Sequence, residues 1–140
     1  MTSGERGAAT VELALLVPVL VLLFGLVVGG ARVWLARATV DQMAGSAARA
    51  GSLARTPAAA VAAATQLARA QAATDGLRCA SLTVDVDARS LANPPGTPAR
   101  VEVVVGCTVP LEDVIVPGWP GELALSASAA AVVDSYRGRQ

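Results

Sequence analysis

Three patterns of apolar and polar positions follow one another along this chain. The first is unbroken: Leu13–Ala31 holds 19 residues and no charge. As a helix it spans about 28 Å, close to the hydrocarbon thickness of a bilayer, and so predicts a transmembrane helix. Pro18 lies inside it, removes one backbone donor and predicts a bend. Trp34 follows just past the run, where an indole suits the membrane–water boundary. The second pattern has a helical period. Val40, Met43/Ala44, Ala47 and Gly51/Ala54 recur at three-to-four spacing, with Arg37, Asp41, Gln42 and Arg49 mostly off that stripe. One helix from about Ala8 to about Ala54 is therefore expected, its outer half bearing a seam of small residues.

A second, alanine-rich helix is expected over Pro57–Thr74. Thr56 supplies the cap, Pro57 occupies the first helical position and Asp75-Gly76 stops it. Val61, Ala64, Leu67/Ala68 and Ala72 form its apolar stripe. The third pattern has a period of two. Leu82, Val84, Val86 and Ala88 alternate with polar neighbours, as do Val101, Val103, Val105 and Cys107. Leu123, Leu125, Ala127, Ala129 and Ala131 form a third such set, and 93–98 reads as a loop. Each strand has one apolar face. The expected fold class is α+β: a long N-terminal helix, a second helix and a small antiparallel three-stranded sheet packed as a meander on a helix.

Composition narrows the function. Apolar residues make up 54% but aromatics only 3%, so the core beyond residue 55 must be built from small side chains. There are 11 Arg, no Lys and 11 acids, with zero net charge. Nothing resembles the clustered positive charge of a nucleic-acid surface. Histidine is absent, which removes the commonest general base and metal ligand. With no nucleophile–base pair either, no catalytic residue, cofactor, metal or small-molecule substrate is assigned, and the chain is not expected to be an enzyme. Asp85 and Asp87 read as a solvated strand edge, since calcium needs more oxygens. Cys79 and Cys107 form an even pair outside the apolar run, which suggests one disulfide, with two buried free thiols as the alternative. Strict alternation places Cys79 off the face carrying Cys107, so the bridge requires a bulge or bend near Arg78–Ala80.

The candidate functional residues stand at the N-terminus. Gly7-Ala8-Ala9-Thr10-Val11-Glu12 runs directly into the apolar segment. A carboxylate at the lip of such a run is costly to place there and asks for a cationic partner. The Gly-x4-Glu pattern before a hydrophobic helix resembles a type IV prepilin processing site. The wider string Glu5–Ala14, the layout, the two cysteines and the ending Val133–Arg137 resemble the TadE-like proteins of tight-adherence (Flp) pilus systems. That resemblance implies a minor pilin or pseudopilin of such an assembly or related type II/IV secretion system. It implies a seven-residue leader cut between Gly7 and Ala8 by a prepilin peptidase, and an assembly role for Glu12. Other pilins would meet the chain through its N-terminal helix.

Other readings stay open. Glu12 can sit solvated at the boundary without a role, or the N-terminus can be a secretory signal with Ala36-Arg37-Ala38 as its cleavage site. Gly25 and Gly29 form a GxxxG motif, a helix-packing surface or a coincidence of composition. Trp119, in the turn Pro117–Gly121, is either a partner anchor or a cap on a thin core. The alternative function is a membrane-tethered or secreted binding module unrelated to pili. The expected organisation is a leader over 1–7, a transmembrane helix over 8–35 continuing to about 55, an extracytoplasmic α+β domain over 56–136 and a tail over 137–140. Placement in a bacterial cell membrane, single-pass, or in an extracellular pilus follows from the resemblance. Counting arginines (Arg6 before the run, Arg32, Arg37 and Arg49 after it) favours the opposite orientation.

Overall fold

The computed structural model describes residues 4–94, 96–114 and 120–134, with the backbone alone for 4–11 and 113–114. Helix α1 runs Gly4–Ser52, a continuous rod of about 74 Å that contains Pro18. It starts in the segment expected as leader and ends two residues short of Ala54. Helix α2 spans Pro57–Thr74. Thr56 caps it in extended conformation, its hydroxyl accepting from the Ala59 amide at 3.2 Å, with Pro57 opening the first turn. Strands β1 (Ser81–Asp87), β2 (Ala99–Pro110) and β3 (Glu122–Val133) form an antiparallel meander in the order β1-β2-β3. Helix α3 is a single turn, Leu111–Val114, at the end of β2.

Register follows the apolar faces. Val84 pairs with Val105 and Val86 with Val103, while Val103 and Val105 face Ala129 and Ala127 across the second ladder. These side chains cover one face of the sheet. The outer part of α1 packs on that face across β2 and β3, and α2 lies against both α1 and β1. The buried stripe of α1 is Ala36, Val40, Met43, Ala44, Ala47, Ala48 and Gly51, close to the expected seam. Among the described residues no polar or charged side chain is fully buried. Ser46, on the flank of the stripe, donates to Gln71 Oε1 at 2.6 Å and ties α1 to α2.

Two local departures have a physical cause. The buried face of α2 is Ala60, Ala64 and Ala68, whereas Val61, expected on the stripe, is 42% exposed. The helices approach too closely for a branched side chain. A Cβ placed on Gly51 would stand 3.0 Å from Val101 Cγ1, 3.5 Å from the Ala60 carbonyl oxygen and 3.7 Å from Ala64 Cβ. The contact is therefore made by backbone and methyl groups. Secondly, Ala88 is buried but does not extend β1. The chain turns there into a 3-10 segment, Arg89–Ala92, which seats Leu91 in the core. Gly121 closes the other end of the β2–β3 connection. Its φ is +127°, it accepts from the Leu111 amide at 3.0 Å, and an added Cβ would meet Leu111 Cδ1 at 2.8 Å.

Cys79 and Cys107 are bonded, with Cα atoms 5.3 Å apart. The expected bend is present. The Cys79 amide bonds to Leu77 O at 3.0 Å, a three-residue turn that ends where Ala80 joins β2 through Thr108 O at 2.7 Å. Cys107 itself pairs with Leu82 in the ladder, so the turn brings Cys79 across the apolar face from outside the regular strand. The link spans 28 residues, a loop whose closure stabilises by about 3–4 kcal/mol in the chain-entropy account. Reduction of the folded chain should add two hydrogens by intact mass and lower its thermal midpoint. An unchanged mass and midpoint would show free thiols in solution.

Candidate functional site

From Leu13 to Val28 the large apolar side chains of α1 form an exposed sleeve: Leu15, Leu20, Leu22, Leu26 and Val27 are all exposed, and Phe24 is 72% exposed. Glu12–Ser52 contains a stretch long and apolar enough to cross a membrane. An exposed apolar surface of this extent is unstable in water and suits membrane anchoring. Packing against the core begins at Val33 and is complete at Ala36. The lipid-type and core-type surfaces therefore meet over about one turn, where Arg32 and Trp34 are exposed and Val33 is half-buried.

The residues singled out at the N-terminus share this helix. Gly7 and Ala8 belong to α1, so Ala8 and Glu12 stand one turn apart, about 6 Å along the axis. Glu12 is exposed at the lip of the apolar sleeve, and no ion pair reaches it among the described residues. An ammonium formed at Ala8 would fall within one helical turn of the Glu12 carboxylate. Gly25 is exposed, with open space where a Cβ would go, and Gly29, one turn on, is buried. Trp119 lies outside the described residues, as do Ser135–Arg137 of the Val-Asp-x-Tyr-Arg ending.

No chemistry gathers on the sheet. Asp85 points outward from β1, and Asp87 is taken up by Arg89, with Nε to Oδ1 at 3.0 Å and Nη2 to Oδ2 at 2.6 Å. Arg100 and Glu102 pair beside them at 2.8 Å. No group of three His, Cys, Asp or Glu able to hold a metal ion occurs among the described residues. What the pattern of residues did not indicate is a cleft of about 390 Å³ where α1 leaves the apolar sleeve, lined by residues from three separated segments, among them Arg32 and Arg78. No local signal announces it, since its walls meet only through tertiary packing.

The Asp87 carboxyl is held down from 3.8 to about 2, first by the side-chain hydrogen bonds from Arg89, then by the Arg89 backbone amide. A lowered carboxyl contributes stability that is present above its unfolded value, near 3.8, and lost as pH falls through about 2. The pair is open to water, so that contribution is small. An NMR titration should give a midpoint near 2 for Asp87, returning toward the ordinary carboxylate range in Arg89→Ala. Equal midpoints in the two proteins would mean that the pair does not persist in solution.

No curated protein and no solved structure matches the chain. A family model does, over residues 7–49. Those residues include Gly7, Glu12, the whole apolar sleeve and nearly all of the buried stripe of α1. The family is described as TadE-like protein, and the N-terminal helix of this chain is similar to it over those residues.

Proposed function

We propose that the chain is a minor pilin or pseudopilin that takes part in assembling a tight-adherence (Flp, type IVb-like) pilus or a related secretion system, without catalysing a reaction itself. The observation that carries this reading is the TadE-like match over residues 7–49, which opens on a glycine, an acid five residues later and an exposed apolar helix. A prepilin peptidase would cut between Gly7 and Ala8 on the cytoplasmic side. The chain would remain anchored through Leu13–Ala31, with the α/β domain on the extracytoplasmic side of a bacterial membrane. The disulfide supports that placement, because such bonds persist in oxidising compartments.

Glu12 supplies the assembly step. In hydrocarbon its carboxylate is costly unless neutralised. The ammonium freed at Ala8, on the same chain or on a packed neighbour, provides the opposite charge. Pairing with a neighbour would set the axial register between helices, and the Gly25/Gly29 face would allow close approach. The three arginines on the C-terminal flank, against Arg6 alone on the other, weigh against this orientation by the positive-inside rule, but a seven-residue segment ahead of the cut has little alternative to staying in the cytosol.

Two measurements test the reading. Protein recovered from cells should have an intact mass that begins at Ala8, and substitution of Gly7 by a bulky residue should leave it unprocessed. A mature chain retaining Met1 would overturn the pilin reading and leave a membrane-tethered domain, while a start at Thr39 would indicate signal-peptide secretion. Glu12→Ala should be processed and folded normally yet recover far less partner pilin on co-purification. Recovery equal to that of the unaltered protein would remove Glu12 from assembly.

A further inference from the structure

The cleft beside the end of the apolar sleeve has a wall from each of three segments. Arg32, Leu35, Ala36 and Thr39 come from α1, Asp75–Arg78 from the turn after α2, and Val109 from β2. We propose that this cleft holds the phosphodiester headgroup of an anionic phospholipid, gripped by Arg32 and Arg78. The inference rests on the membrane anchor of the reading above, and concerns a ligand that reading does not involve.

Depth is the first argument. Arg32 immediately follows the last residue of the uncharged run, and Thr39 lies about 10 Å further along the axis. A bilayer's polar layer is about 5–8 Å thick on each side, so a helix leaving the hydrocarbon at Ala31 carries the cleft into the headgroups. Trp34, 69% exposed in the same turn, fits that level. Charge is the second. Arg32 and Arg78 are exposed, and neither has an ion pair among the described residues, unlike Arg89 and Arg100. Asp75 stands on the same rim and opposes an anion, but two guanidinium groups leave the cleft with one net positive charge. Guanidinium matches phosphate oxygens in planar, two-pronged geometry. Size is the third: about 390 Å³ is ample for a phosphoglycerol group, with Leu35, Leu77 and Val109 available to the start of an acyl chain.

The cleft is also built into the fold. Leu77 and Arg78 directly precede Cys79, and Val109 is two residues beyond Cys107, so the disulfide fastens one wall to the other. This gives Arg32, one of the three arginines that argue against an outward domain, a specific role at the membrane surface. Its charge would be met by lipid phosphate rather than left to set topology.

The full chain, carried in nanodiscs of equal phosphatidylcholine and phosphatidylglycerol, tests the proposal through the lipids that remain bound on release, read by native mass spectrometry. The unaltered protein should retain phosphatidylglycerol over phosphatidylcholine. Arg32→Gln and Arg78→Gln should each cut that preference about fivefold, the effect of one cation at a lipid surface. The paired Lys variant should keep most of it, and Arg69→Gln, on the exposed side of α2, all of it. Equal retention by the unaltered protein and the paired Gln variant, or no preference at all, would overturn the proposal. Displacement of the lipid by excess inorganic phosphate would overturn the lipid as its occupant. Entry into the nanodisc reads the anchor separately: a chain that fails to enter overturns the anchor and the inference together, whereas one that enters without preference overturns the cleft alone.

Discussion

One helix is required to be buried in two different media. Over Leu13–Val28 its large apolar side chains are exposed, the surface that hydrocarbon accepts. From Ala36 onward it presents a stripe of small residues to a sheet and a second helix. Backbone hydrogen bonding is continuous through both, so the only thing that changes at the boundary is what the side chains meet. The α/β domain depends on the second half, because without α1 the apolar face of the sheet has no cover across β2 and β3. Anchor and domain are thus one mechanical unit, joined by a rod rather than by a linker.

The smallness of the core residues follows from this arrangement. Alanine and valine bury little area each, and what they offer instead is close approach. Gly51, Ala60 and Ala64 bring α1 and α2 together near Val101 so closely that even a Cβ on Gly51 would require Val101 to shift. Met43 and Val40 are the largest of the fully buried side chains on α1. The disulfide adds a covalent tie at one end of the ladder, holding the α2–β1 turn against β2 beside Leu82 and Leu125.

Much of this was legible along the chain. The 19 uncharged residues, the Thr56-Pro57 start and the period of two in three segments each encode their element through local chemistry. The parity of Cys79 against Cys107 even announced that a bend must precede β1, and the turn at Leu77–Cys79 is that bend. Val61 was misassigned because periodicity ranks residues by apolarity, whereas the α1–α2 contact selects them by volume. Ala88 was misassigned as strand because burial alone does not distinguish a ladder position from the first residue of a turn that also faces the core. The N-terminal motif was legible as chemistry: a glycine and an acid at the lip of a greasy helix, on the segment that the TadE-like match covers.

Residue order by itself determined the elements, their faces and the place of Glu12, because those depend on neighbours within one or two turns. It could not determine which face of α2 meets α1, nor that Arg32 and Arg78, 46 positions apart in the numbering, line a single cleft. Those are consequences of how a rod, a second helix and a twisted sheet settle at the spacing their smallest side chains allow, a distance set only once all three are in contact.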